Sequence, residues 1–205
     1  MSDSARLEHL RHHHAHGCKR CRLHWNRNQL VFGSGNPDAD LVLVGEAPGD
    51  DENKEGEPFT GPAGKLLEGF LGRVGLSRKQ VYAMNLVKCW PESNRDPSTD
   101  EIAACAPFLH MQIRIVRPKV ILAVGRLAAA SLAELPSGTP LRKLREMDLL
   151  YVNATTGMQI PILATYHPSY ILRNLTLDRE AAKTASKLVR ADFQRALGFM
   201  SPPTA

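Results

Sequence analysis

Aromatic residues are scarce in this chain of 205 residues: Phe, Trp and Tyr make up 6% of it, with only two tryptophans. Cysteine is scarcer still, at four. Four cysteines in a chain this long do not make a disulfide-dense secreted scaffold. Neither sign of charge dominates, since 26 Lys and Arg stand against 21 Asp and Glu for a net +5. That balance is compatible with a polyanionic partner and does not require one. Long apolar runs are missing too. Runs such as Val120–Val124 fall far short of the ~20 residues that cross a bilayer. The stretch Met1–Leu10 is polar, with no apolar core of a secretory leader. No repeat recurs at a fixed period. The expectation is a cytoplasmic protein with no membrane association. In a reducing compartment its cysteines serve as metal ligands or free thiols.

What is present suits an ordinary globular domain: 43% hydrophobic and 23% charged residues. One domain over 1–205 is expected, with 1–16 and 199–205 as flexible ends and Ser201–Ala205 unstructured. The histidines His12, His13, His14 and His16 read as a solvated helix end. From Asp40 the chain alternates. Leu41–Val44, Val81–Met84, Lys119–Val124 and Ile160–Tyr166 read as buried strands. Ala63–Val74, Thr99–Val116, Arg126–Leu132 and Asp178–Leu197 read as helices. Ser98 and Glu101 have capping-box spacing. Ile102, Cys105, Leu109, Ile113 and Val116 share one helical face. Pro107 falls inside that helix, and Pro118 closes it. Strands alternating with helices predict an α/β protein, a three-layer α/β/α sandwich with a central four-stranded parallel sheet.

Cys18 and Cys21 form a C-x2-C pair, and Cys89 and Cys105 follow with fifteen residues between them. A single buried cysteine is usually mere core, but the pair favours metal ligation by all four. Thiolates suit zinc and iron–sulfur clusters alike, so the ligand set leaves both open.

Three loops stand at predicted strand ends, where parallel α/β sheets bind ligands. They begin at Gly45-Glu46-Ala47-Pro48-Gly49, at Asn85 and at His167-Pro168-Ser169. The first runs on through Pro58-Phe59-Thr60-Gly61 to Gly64. Around these loops the chain resembles the family-4 uracil-DNA glycosylases, an iron–sulfur branch of the uracil-DNA glycosylase superfamily. The resemblance rests on C-x2-C-x-L at Cys18–Leu23, VFGSGNPDADLVLVGEAPG ending at Gly49, and EGEPFTGPAGKLL at Glu55–Leu67. It continues through NLVKCWPESNRDP at Asn85–Pro97, Cys105, RPKVILAVG ending at Gly125, and ATYHPSYILRN at Ala164–Asn174. A related branch that links covalently to uracil carries a basic insertion ending in histidine. No such insertion lies between Asn85 and Cys105.

The resemblance implies one 4Fe-4S cluster on Cys18, Cys21, Cys89 and Cys105. It implies a monomeric enzyme that flips uracil from single- or double-stranded DNA and hydrolyses its glycosidic bond in base excision repair, close to the nucleoid. Phe59 is suited to stack on the flipped base. Asn85 is suited to read its O4 and N3–H edge. His167 is the candidate donor to the charge that builds on O2. Glu46 has three roles open: positioning or activating water, supporting the cationic sugar, or shaping the pocket against thymine's methyl. Glu52 either shares these tasks or is a solvated acid. Backbone at Gly45, Ala47, Pro48 and Gly49 is expected near the base. Gly61, Gly64, Ser169 and Arg173 are expected at the DNA backbone, with Leu172 as an apolar wedge. Two rivals keep different subsets of these features. One is a non-catalytic iron–sulfur nucleic-acid-binding or sensing module of the same fold, and the other is a structural zinc protein.

Overall fold

The strands assemble in an order that crosses back over itself. In the computed structural model, which describes residues 1–200, they are β1 (Ser34–Gly35), β2 (Leu41–Gly45), β3 (Val81–Asn85), β4 (Val120–Val124), β5 (Leu149–Asn153) and β6 (Met158–Thr165). The sheet order is β1-β3-β2-β4-β6-β5. Every residue of β2, β3 and β4 is buried, which explains their unbroken apolar sequence. β3, β2, β4 and β6 run parallel, in register from Leu41↔Val81 and Leu41↔Val120 onward. The chain passes from β2 to β3 on one side, then to β4 on the other. The ends of these strands therefore frame a crevice at the reversal of strand order.

The expected four-stranded parallel sheet is thus the interior of a six-stranded mixed sheet among the described residues. β1 pairs antiparallel with β3, and β5 with β6. β1 has two residues, too few to show a period. β5 buries Leu149 and Tyr151 but leaves Leu150 46% and Val152 49% exposed. Its outward face is as apolar as its inward one, so the alternation that marks a half-buried strand was hidden.

Helices cover both faces. They are α1 (Asp3–Leu10), α2 (Asp50–Glu55), α3 (Pro62–Arg73), α4 (Thr99–Val116), α5 (Arg126–Leu132), α6 (Leu141–Glu146), α7 (Pro168–Leu177) and α8 (Arg179–Leu197). Val42, Val44, Met84 and Ile121 point to a core shared with α1, α4, α5 and α6. Leu41, Leu43, Val81 and Leu122 point the other way, onto α3, α7 and α8. The three-layer reading holds. α4 runs on through Pro107 and ends where Arg117 turns left-handed before Pro118. α8 is capped by Asp178, whose carboxylate accepts the Ala181 N–H.

The N-terminal segment, expected as a flexible end, is helical. Leu7 and Leu10, spaced for one helix face, pack into the core with Ala15 from the π-helical turn that follows. Asp3 also pairs with Arg117 at 2.5 Å. The expected loose tail at 201–205 lies outside the described residues.

Candidate active site

A cavity of about 730 Å³ opens over the carboxyl ends of the parallel strands. Glu46, Ala47, Pro48 and Gly49 enter it after β2, and Asn85 ends β3 beside them. Tyr166 and His167 follow β6. The loop after β4, Gly125–Arg126, is a fourth wall that the sequence reading missed. The strand-end rule that found the other three loops applies to it equally. Asn94, Arg95 and Tyr170 line it as well.

Gly45 does not line the cavity but decides what does. A Cβ there would collide with Asn85 Oδ1 and would lie 2.8 Å from Phe59 Cζ. The missing side chain is the space in which the Phe59 ring and the Asn85 amide meet. Phe59 is 7% exposed and holds a left-handed φ of +58°, uncommon for a bulky residue. Two neighbours enforce it. Gly64 packs so closely that a Cβ would overlap the Phe59 carbonyl. Arg78 donates to the Pro58 carbonyl at 2.6 Å and lies 5.8 Å from the Phe59 ring centroid. Asn85 is buried, and among the described residues no group bonds its amide. Its donors and acceptor are free for a ligand.

Glu52 lines the cavity and also makes contacts that were not foreseen. One carboxylate oxygen accepts the Gly49 N–H at 2.9 Å, and the other accepts those of Thr60 and Gly61 at 3.1 Å each. It ties the loop after β2 to the loop carrying Phe59. Its negative charge strengthens each bond. Glu46 instead stands over β4. Oε1 accepts the Leu127 N–H at 3.1 Å, in room left by Gly125 at φ +111°. Burial raises its pKa above the usual carboxylate value, against the pull of that N–H.

The protonation of His167 follows from its bonds. The Ser169 backbone N–H, which can only donate, reaches His167 Nδ1 at 3.2 Å. Nδ1 is therefore an acceptor and the proton sits on Nε2. Ser169 Oγ lies 2.7 Å from Nδ1 and accepts from Arg173 Nη1 at 3.3 Å, which leaves its own proton for the ring. Burial, aided by the nearby Arg173 charge, lowers the imidazole pKa to about 4. His167 is thus a neutral donor near pH 7. Thr165, two residues earlier, donates to buried Asp192 at 2.8 Å, and Arg145 grips that carboxylate at 3.1 and 2.8 Å. This anchors the strand end that delivers the histidine.

Of the residues expected at DNA, Gly61, Ser169 and Arg173 line the cavity. Gly64 serves Phe59 from beneath. Leu172 lies partly buried on α7, outside the lining.

The fold also collects the four cysteines. Cys18 and Cys21 come from the N-terminal segment, Cys89 follows β3, and Cys105 lies on α4; all line one hollow. Among the described residues no three His, Cys, Asp or Glu side chains are arranged to hold a single metal ion. Fully buried Lys88 lines the same hollow and donates to the Asn85 carbonyl at 2.8 Å. Arg27 reaches Cys89 Sγ at 3.2 Å. Burial holds Cys105 up at about 11 and Lys88 down at about 8. Four thiols with two cations beside them fit an anionic thiolate-bound group, whose charge would offset that burial.

A family model described as the uracil DNA glycosylase superfamily matches residues 32–189. The chain is 39% identical to the type-4 uracil-DNA glycosylase of Archaeoglobus fulgidus over 171 residues, covering 83% of this chain and 86% of that protein. It is 38% identical to the type-4 uracil-DNA glycosylase of Pyrobaculum aerophilum over 186 residues, covering 90% and 93%. The type-5 uracil-DNA glycosylase of the same organism is 32% identical over 183 residues, covering 82% and 76%.

Two expectations follow from the geometry. Glu52→Ala strands three backbone N–H groups, so urea unfolding should show a loss of about 2–3 kcal/mol; an unchanged midpoint would mean the carboxylate is not a brace. For His167, folding depresses the pKa from 6.5 to about 4, so the unfolded chain binds the proton first as pH falls. The histidine removes stability between those values. Unfolding of His167→Asn should depend less steeply on pH across that window than unfolding of the wild type.

Proposed function

The chain belongs to the uracil DNA glycosylase superfamily, in its type-4 branch, and we propose that it excises uracil from DNA with the residues gathered at this cavity. The observation that carries the assignment of roles is the meeting of three groups. These are a base-sized aromatic wall at Phe59, an unbonded amide at Asn85, and a histidine locked neutral with its donor on Nε2.

A uracil swung out of the helix stacks on Phe59. The Asn85 amide donates to its O4 and accepts from its N3–H. Cytosine presents the opposite pattern, which would leave both partners unpaired. As the bond between C1′ and N1 stretches, its electron pair moves into the ring and charge collects on O2. The Nε2–H of His167 is aimed at that charge, and because the ring is neutral no proton need be transferred. Oε1 of Glu46 is engaged by Leu127, and Oε2 is left to hold a water. The raised pKa of the carboxyl makes it the better base. That water adds to C1′, its proton passes to Glu46, and uracil leaves behind an abasic site. Arg173, Ser169 and the backbone at Gly61, which line the cavity, meet phosphates at its rim, and Leu172 is the apolar wedge.

We read Cys18, Cys21, Cys89 and Cys105 as ligands of one 4Fe-4S cluster. The hollow supports this through its four thiols and the cations beside them, Lys88 and Arg27. When bound, the cluster joins the N-terminal segment, the loop after β3 and α4; hydrolysis asks no electron of it. The protein is read as a monomer acting on chromosomal DNA in the cytoplasm.

Release of free uracil from uracil-containing oligonucleotides, single-stranded and U:G-paired, is the direct test. Binding without release would mark a non-catalytic module instead. Asn85→Ala and His167→Ala should each lower kcat/KM about 100-fold or more, with circular dichroism unchanged; wild-type rates would overturn their roles. Protein purified without oxygen should contain iron and acid-labile sulfide in equal amounts. Zinc alone would favour the structural zinc reading.

A further inference from the structure

Both tryptophans of the chain lie in one surface groove of about 290 Å³. Trp25 ends the short helical turn that follows Cys21, and Trp90 follows Cys89. They come from segments 65 positions apart in sequence (90 minus 25), and Trp25 is 74% exposed. An isolated indole left that open would be unremarkable, but two in one groove are a pattern.

The groove adjoins the uracil cavity. Arg95 lines both, and Asn94, on the cavity wall, accepts the Trp90 indole N–H at 2.9 Å. Asn94 in turn donates to Asp50 at the cavity rim, also at 2.9 Å. Trp90 is therefore held by its edge to a residue of the cavity wall.

Charge does not explain the groove. Its two cations, Arg22 and Arg95, both bond the wholly buried carboxylate of Glu101, at 2.9 Å and at 2.7–2.8 Å. Its one acid, Glu92, accepts from Asn26 at 3.2 Å. What remains to a ligand is two indole faces and little net field. That chemistry suits the flat faces of unpaired nucleobases, which paired bases inside a duplex do not offer.

We propose that the Trp25–Trp90 groove is a stacking subsite for unpaired nucleotides flanking the flipped uracil on the same strand. The subsite favours single-stranded DNA, or DNA opened beside the lesion. The proposal rests on the uracil-DNA reading above.

Because both tryptophans are in the groove, tryptophan emission, excited beyond the tyrosine absorption, reports on it. The probes are a single-stranded oligothymidylate and an oligomer of equal length made of abasic spacers with the same phosphates. Oligothymidylate should quench the emission and the spacer oligomer should not. Trp25→Ala and Trp90→Ala should each weaken oligothymidylate binding about ten-fold. Trp25→Phe and Trp90→Phe should recover most of that loss, and each leaves a single tryptophan to be quenched in turn. Equal quenching by both probes, no quenching, or wild-type affinity in the Ala variants would overturn the subsite. The uracil-release assay separates the two readings. Excision without base-dependent quenching removes only the subsite. Base-dependent quenching without excision leaves the groove standing and removes the glycosylase reading.

Discussion

A single missing side chain, at Gly45, sets the geometry on which the site depends. The end of β2 is where an aromatic ring from one loop and an amide from the neighbouring strand must come together, and any Cβ there would hold them apart. The surrounding structure works to keep that meeting in place. Glu52 stitches the two loops together through three N–H groups. Gly64 lets α3 press against the Phe59 carbonyl. Arg78 fixes the peptide before it. Phe59 keeps an unfavourable backbone angle because each of these contacts constrains it, and strain of this kind persists only where its surroundings over-determine it.

Buried charges organise the rest. Glu101 is fully buried at the start of α4. It accepts the Ser98 N–H, closing the capping box from one side, and also bonds Arg22 from the cysteine segment and Arg95 from the cavity wall. Those charge-assisted bonds hold its pKa well below the usual carboxylate range. One side chain thereby joins the thiol hollow, the tryptophan groove and the active cavity. Lys88 makes a second such link, from the hollow to the main chain of Asn85. The cysteine hollow and the cavity are thus mechanically connected.

The frame was legible because burial writes itself into composition. β2, β3 and β4 are apolar throughout since both of their faces are covered, and α4 and α8 carry clear end signals. The edges were not legible. β1 is too short to have a period, and β5 exposes apolar residues where a polar face would have revealed it. α1 was hidden behind a polar, histidine-rich stretch in which only Leu7, Leu10 and Ala15 face inward. Among site residues, Glu46, Phe59, Asn85 and His167 stood out through the ordered motifs in which they sit, and all meet at one cavity. Glu52 lines it too, but its bonds to three backbone N–H groups were not legible, because a carboxylate that bonds backbone looks like any solvated acid in sequence.

The sequence by itself determined the alternation of buried strands and helices, the loops that face a ligand, and the four cysteines able to act together. Those follow from local order: burial periodicity, strand-end position and spacing along the chain. Only the tertiary structure decided which proton His167 carries, that Glu52 accepts three backbone N–H groups while Glu46 accepts one from Leu127, and that two distant tryptophans share a groove. Each of these depends on which groups become neighbours across the fold. A hydrogen-bond donor arriving at one ring nitrogen, or three N–H groups converging on one carboxylate, is a property of approach in space that spacing along the chain does not encode.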